Sequence, residues 1–271
     1  YFFAGFILAG QDYKDRQKGF VPRTNGAYFT DKYRNLFREN GHKKKEIRAK
    51  NEAAFRLLFH GDTSTVYFEA GSNENGPLAY ISDVLHHDVR SEGISYGMMI
   101  SVQMDKKAEF DAIWNWAMTY MYVSSTEHPS EGYFSWSLKT DGTPNSETPA
   151  PDGEEYIVMA LYFASNRWGD GKGIYNYKEW ADRILTAIRH HPSKTGPTKF
   201  GPRTVHSMVN EERKMIRFVP NFNQSDFTDP SYHLPAFYEL WARWGPVEDI
   251  DFWAAAADSS RDFFIKTTNP V

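Results

Sequence analysis

A mostly helical fold is predicted from three observations. Apolar residues recur at helical spacing in one segment after another, strand-like runs are few and short, and the connections are long and rich in Gly, Pro and aromatic residues. The 271 residues are enough to bury one large core. No Pro/Ser/Gly tract, charge block or internal repeat marks a boundary, so one domain is expected over residues 25–271, with an N-terminal arm or leader remnant over 1–24.

The first segment, YFFAGFILAG (Tyr1 to Gly10), is apolar but too short to span a bilayer. Two readings stay open for it. As the tail of a secretory signal ending in small residues it places the protein in the periplasm or outside the cell; as a buried N-terminal arm it fits a cytoplasmic protein. Helices are expected over residues 30–39 and 44–59, with Lys43, Lys44 and Lys45 on a solvated face. A short strand is expected over 65–68 and a helix over 91–104. From Phe110, the residues Ile113, Trp114, Ala117, Met118 and Met121 follow the i, i+3, i+4, i+7, i+8, i+11 spacing of an amphipathic helix. After a strand-like run at 133–138, Asp152 stands where an N-cap belongs and opens a helix over 153–167. Tyr177, Ala181, Ile184, Leu185 and Ile188 repeat the helical spacing. A third strand-like run covers 215–219. Asp229 followed by Pro230 opens a helix over 230–244, with proline at its first position, and a last helix covers 249–266. The connections 131–151 and 191–228 are long, and long ordered loops in a domain are usually functional, here building a cleft at one end of the helices.

Composition excludes several classes of function. A net charge of −4 gives no basic footprint for nucleic acid. The absence of cysteine removes disulfides, thiolate nucleophiles and cysteine-ligated metals. His86 with His87 and His190 with His191 are adjacent pairs without the one-face spacing of a helical zinc site, and no HExxH occurs. GDGKG (Gly169 to Gly173) reads as a turn, and Asn223 opens a formal glycosylation sequon. Aromatic residues make up 16% of the chain, and many fall in loop-like segments. Their flat apolar faces with polar edges suit sugar rings, while most of the Phe residues read as core.

Three strings carry the chemistry. DVRSEGISYGMM (Asp88 to Met99) sets Glu92 in a tight turn opening an apolar helix, where it either projects into a cavity or complements the helix dipole. PAPDGEEYIVMALYFASNRWGDG (Pro149 to Gly171) presents Asp152 and Glu155, which a capping box alone would explain. TDPSYHLPAFYELWARW (Thr228 to Trp244) sets Tyr232 and His233 in a first helical turn near the mouth of a cleft, with a core aromatic as the alternative for Tyr232.

In this order and at these intervals, together with AYFTDKYRNLF (Ala27 to Phe37), the strings resemble glycoside hydrolase family 8 and within it the xylan-active members, especially those that release xylose from the reducing end. The resemblance runs from about Asn25 to the end of the chain. It implies an all-α (α/α)6 toroid and inverting hydrolysis of β-1,4-xylosidic bonds, without metal or cofactor. By motif position Glu92 corresponds to the general acid, Asp152 to the aspartate that contacts the sugar before the scissile bond, and Trp136 of YFSW to an aromatic that stacks there. Tyr232 corresponds to the tyrosine that helps hold the attacking water. Arg90, Tyr96 and Tyr156 are further candidates for sugar contact. Xylo-oligosaccharides or xylan are the implied partners, with no nucleic acid or membrane partner, and a monomer is expected.

Inverting chemistry requires one carboxylic acid to protonate the leaving oxygen and a carboxylate roughly 6.5–9.5 Å away to activate water. Glu92 is then expected to be held protonated by partial burial or by the neighbouring Asp152. The family's general base is an aspartate in a segment resembling FSDSYR, which residues 1–271 do not contain. Asp229 belongs to the helix-start motif and Asp226 lies in the loop before it, so neither is accepted in its place. The base is therefore expected beyond Val271 and the toroid to be C-terminally incomplete, with about eight of its helices predicted here. Three classes remain: a xylo-oligosaccharide hydrolase acting at the reducing end, with endo-xylanase as its alternative; a catalytically inactive sugar-binding relative; and a helical scaffold without small ligand. SYGMM (Ser95 to Met99) and VQMDKK (Val102 to Lys107) look closer to the exo-acting members.

Overall fold

The computed structural model describes residues 30–221 and 227–267, which divide into two units between Thr65 and Val66. The run Tyr1 to Gly10, the sequon at Asn223 and the loop residue Asp226 lie outside the described residues. Eight α-helices occur among those described. The first unit holds α1 (Leu36–Glu39) and α2 (Lys44–His60). The side chain of Glu46 accepts a hydrogen bond from the Lys43 backbone N–H at 2.9 Å, which fixes the start of α2, and Lys43, Lys44 and Lys45 are exposed as expected. Phe55 and Phe59, one turn apart, stack at 4.3 Å.

The second unit opens with an antiparallel meander. Strands β1 (Tyr67–Asn73), β2 (Gly76–Asp83), β3 (Asp88–Arg90), β4 (Ser137–Leu138) and β5 (Pro144–Ser146) follow one another in sheet order as in sequence. Tyr67 pairs with Ile81, Ser82 with Val89, and Val89 with Leu138. Only part of this sheet is legible in the sequence: 65–68 and 133–138 overlap β1 and β4, whereas β2 and β3 are not predicted. A strand pattern reflects the packing of its neighbours more than its own residues; β1, β2 and β3 follow one another through tight turns, and only the pairing of β3 with β4 joins segments far apart in the chain.

Helices α3 (Ser91–Gln103), α4 (Lys107–Trp116), α5 (Pro151–Trp168), α6 (Tyr177–His190), α7 (Pro235–Trp244) and α8 (Ile250–Thr267) form three consecutive pairs. Within each pair the second helix packs back on the first, and α3 also packs along α5. The helical spacing reads correctly. Phe110, Ile113, Trp114 and Ala117 are buried, as are Tyr177, Ala181, Ile184, Leu185 and Ile188. Ala117–Met121 extends α4 as a π-helical turn. Gly97 lets α3 lie directly on β2, since a Cβ there would meet Ile81 Cγ1 at 2.4 Å. Strands β6 (Lys194–Gly196) with β7 (Arg203–Val205), and β8 (Val209–Asn210) with β9 (Met215–Ile216), are two small hairpins within the loop expected over 191–228.

Three helix starts differ from expectation. The helix expected over 30–39 is confined to α1, Leu36–Glu39, whose N-cap Asn35 accepts from the Arg38 N–H at 3.1 Å. α5 begins at Pro151 with Ala150 as its N-cap, so Asp152 lies inside the first turn and caps nothing, and Glu155 makes no capping box. The helix expected over 230–244 is divided. Asp229 does cap a start, accepting from the Ser231 N–H at 2.9 Å, but Pro230–Tyr232 is a single 3-10 turn and α7 begins at Pro235. Proline disfavours helical geometry in the residue before it, and Leu234 accordingly has ψ 66°.

Candidate active site

The N-termini of α3, α5 and the segment leading into α7 supply the side chains that the sequence singles out. β3 delivers the chain into α3, and β4 lies beside it. The Ser91 N–H at the head of α3 donates to the Trp136 carbonyl at 2.9 Å, which fixes Trp136 next to the turn bearing Glu92. The guanidinium of Arg90 lies 5.4 Å from the Trp136 ring centroid, and its Nε donates to Asp88 Oδ1 at 3.1 Å. Asp83 Oδ2 is 3.7 Å from the same nitrogen, so two carboxylates hold Arg90 over the indole.

Gly153 sets the distance between α3 and α5. A Cβ on it would fall 2.4 Å from Ser91 Oγ and 2.9 Å from the Ser91 carbonyl carbon. Only glycine lets the two helix heads touch, and the residues beside this contact are Glu92 and Asp152. On α3, the Tyr96 hydroxyl donates to Glu92 Oε1 at 3.2 Å. Tyr96 meets Tyr156 of α5 edge to face at 5.0 Å, and Tyr156 meets Phe237 of α7 in the same way at 5.0 Å. An aromatic wall therefore joins the three helices.

Glu92 is exposed, not partly buried as the acid role led us to expect. The burial falls on Asp152, whose Oδ1 is enclosed without a hydrogen-bond partner. Burial, and after it the charge of Glu92, push the Asp152 carboxyl up from 3.8 to about 6, against the pull of the Gly153 backbone N–H. Tyr232 is half-buried and stacks on Phe218 at 5.4 Å. Its hydroxyl is pushed up by burial and then by the charges of Asp152, Asp229 and Glu92. The same groups thus act on one another from three segments that are distant in sequence. Asp229 is held down by its hydrogen bonds from Ser231, consistent with a capping role. His233 turns away from the mouth where the sequence placed it. It is buried between Thr228 Oγ1 at 2.7 Å and Ser260 Oγ at 3.2 Å, and burial lowers it to about 4.

Sequence reasoning gave no role to Glu154. It is fully buried and accepts from the Phe134 N–H at 3.1 Å, tying the YFSW segment to α5. Burial pushes its carboxyl, and that of Glu155, well above the usual range. An acid in a first helical turn has the same sequence signature whether it meets solvent or core, so no local signal would have found it. No cluster of metal-ligating side chains occurs among the described residues, and no described helix is long and apolar enough to cross a membrane.

The Asp152 shift has a consequence for stability. In the unfolded chain this group titrates near 3.8, so below about pH 4 both states are protonated and folding carries no penalty from it. Above about pH 6 both states are ionised and the folded state bears the whole penalty, about 3 kcal/mol. Asp152→Asn is therefore expected to stabilise the protein by up to about 3 kcal/mol near neutrality, a gain that fades as pH falls from about 6 to about 4. Urea denaturation on both sides of this window checks it; an equal gain on both sides would exclude the electrostatic origin.

Residues 75–270 match the sequence profile of the family described as glycosyl hydrolases family 8. The chain belongs to this family. Glycoside hydrolase family 8 folds as an (α/α)6 barrel, and the largely helical fold with its three helix pairs matches part of such a barrel. The chain is 45% identical over 249 residues to a reducing end xylose-releasing exo-oligoxylanase of Halalkalibacterium halodurans, covering 91% of this chain and 60% of that protein. It is 58% identical to a family 8 xylanase of Teredinibacter turnerae solved as a catalytic mutant with xylohexaose, at a TM-score of 0.89, covering 91% of this chain and 63% of that one. Rex8A of Paenibacillus barcinonensis complexed with xylose superposes at a TM-score of 0.81 and is 44% identical over 91% of this chain and 61% of its own. The chain spans about 60% of the length of the exo-oligoxylanases of Halalkalibacterium halodurans and Paenibacillus barcinonensis.

Proposed function

We propose that this chain carries the acid half of an inverting glycosidase site that hydrolyses β-1,4-xylosidic bonds in xylo-oligosaccharides and releases xylose from the reducing end. The observation that supports it most directly is the meeting of Glu92 and Asp152 at the Gly153–Ser91 contact, with Tyr232 under the charge of both. Glu92, whose exposed carboxyl accepts from the Tyr96 hydroxyl at 3.2 Å, is open to a leaving glycosidic oxygen, to which the acid role has it give a proton. Asp152 fits a contact to the sugar on the other side of the scissile bond, where it accepts from ring hydroxyls when ionised and donates to one only when protonated, below about pH 6. Trp136, backed by Arg90, offers the flat face for that sugar, and Tyr96 and Tyr156 border the cleft. Tyr232 orients the attacking water. The aspartate that activates this water is not assigned to any described residue.

The 45% identity to an exo-oligoxylanase over most of this chain supports action at the reducing end. The 58% identity to a xylanase that binds xylohexaose favours endo-xylanase as the second reading. A xylo-oligosaccharide labelled at its reducing end distinguishes them when hydrolysed by the complete gene product. Release of the label as free xylose is expected; label spread over several chain lengths would establish endo action, and binding without cleavage would make the protein a sugar-binding relative.

A further inference from the structure

Glu155 and Tyr238 are both fully buried, 83 residues apart in sequence, and meet through their polar atoms. The Tyr238 oxygen lies 3.3 Å from Glu155 Oε1 and 3.5 Å from Oε2, and also 3.0 Å from the backbone carbonyl of Tyr232. A phenol has one hydrogen, and a carbonyl can only accept. If Glu155 were ionised, carboxylate and carbonyl would compete for that hydrogen and one buried acceptor would lose it. If Glu155 carries a proton, every group is satisfied: Glu155 donates to the Tyr238 oxygen, and Tyr238 donates to the Tyr232 carbonyl. The surroundings select the second state. Glu155 has no exposure to solvent, and this burial, with the charge of Asp152 in the same turn, outweighs the hydrogen bond to Tyr238 that would favour ionisation.

We propose that Glu155 is a positioning residue, a buried neutral carboxylic acid that directs the Tyr238 hydroxyl onto the Tyr232 carbonyl and so holds Tyr232 at the reaction centre. The chain of hydrogen bonds runs from the first turn of α5, beside Asp152, to the 3-10 turn before α7. It locks together two segments whose spacing the chemistry needs fixed. A leucine would fill the same volume without the penalty of burying a polar group, so the acid serves direction and not packing. The proposal rests on the reading of Tyr232 as a residue of the hydrolytic site.

The test uses the complete gene product and four variants, Glu155→Gln, Glu155→Leu, Tyr238→Phe and Tyr232→Phe, with kcat and KM on xylo-oligosaccharides and thermal unfolding for each. Tyr238→Phe and Glu155→Leu are expected to lower kcat by about tenfold or more with KM little changed, because the misplaced group acts in the transition state. Glu155→Gln is expected to restore kcat to within about threefold of the parent, since its amide N–H donates to Tyr238 as the protonated acid does. Should Glu155→Leu fail to fold, Tyr238→Phe, which removes a single oxygen, decides alone. A Glu155→Gln variant as impaired as Tyr238→Phe would overturn the neutral-donor assignment. Undiminished kcat in Tyr238→Phe beside an impaired Tyr232→Phe would overturn the relay alone. Undiminished kcat in Tyr232→Phe would withdraw the reading of Tyr232, and the relay with it.

Discussion

Glu92→Gln in the complete gene product is expected to lower kcat by about 10²–10⁴-fold while xylo-oligosaccharides still bind. The amide has the shape of the acid and its oxygen still accepts the Tyr96 hydroxyl that now reaches Glu92 Oε1 at 3.2 Å, so the cleft keeps its form. What it lacks is a transferable proton. Calorimetry of the variant with an oligosaccharide separates binding from turnover. A xylosyl fluoride, whose leaving group needs no protonation, is expected to be hydrolysed far less unequally by variant and parent. The burial pattern makes the comparison with Asp152→Asn instructive, because Asp152 is the carboxyl whose proton is held up to about 6. A mild Glu92→Gln phenotype beside a severe Asp152→Asn phenotype would transfer the acid role to Asp152.

Gly153→Ala is expected to be as damaging although the added methyl bears no chemistry. Its Cβ would lie 2.4 Å from Ser91 Oγ, 2.6 Å from Ser91 Cβ and 2.9 Å from the Ser91 carbonyl carbon. A serine hydroxyl can rotate away, but the backbone carbon cannot, so the heads of α3 and α5 must part. Overpacking of this kind costs about 1–3 kcal/mol of stability. A displacement of about 1 Å between Glu92 and Asp152 lowers kcat/KM by about 100-fold. Denaturation curves and steady-state kinetics on the same preparation check both effects. The double variant Ser91→Gly with Gly153→Ala is expected to regain part of the loss, because the backbone contact at 2.9 Å remains. Full activity in Gly153→Ala would mean that the close approach of the two helices is not needed for turnover.

The helical frame was legible because its information is local. The spacing of Tyr177, Ala181, Ile184, Leu185 and Ile188 is enough to place α6, and all of these residues are buried. The meander was legible only in part: β3 is three residues long, and β2, though eight residues long, lacks a clean alternation of buried and exposed positions that would announce a strand. At the site, local rules misread α5: an acid followed by another three residues later reads as a capping box, whereas the structure starts the helix at Pro151 and encloses Glu155. Likewise Pro230 announced a helix that Pro235 displaces by one turn. Glu92, Asp152, Trp136 and Tyr232 came into view through family resemblance, not periodicity. The contacts that bring their neighbourhoods together, Gly153 on Ser91 and Glu155 on Tyr238, depend on tertiary proximity that no window of sequence contains.

The hydrogen bond from the Ser91 N–H to the Trp136 carbonyl bears on how this face of the barrel can be altered. The loop that presents the indole also completes the start of the helix that presents Glu92, so the two are not separate modules. Loop exchange between members of the family, a common way to change cleft length, must therefore preserve the backbone path from Trp136 to Leu138 and its pairing with Val89 and Arg90. Chimeras that keep only the Trp136 side chain would retain a platform and lose the anchor. Junctions placed after Leu138 leave that anchor intact. The tip of the same loop, where the Lys139 N–H donates to the Thr143 carbonyl at 2.8 Å and closes a turn, is the place where new sequence can enter.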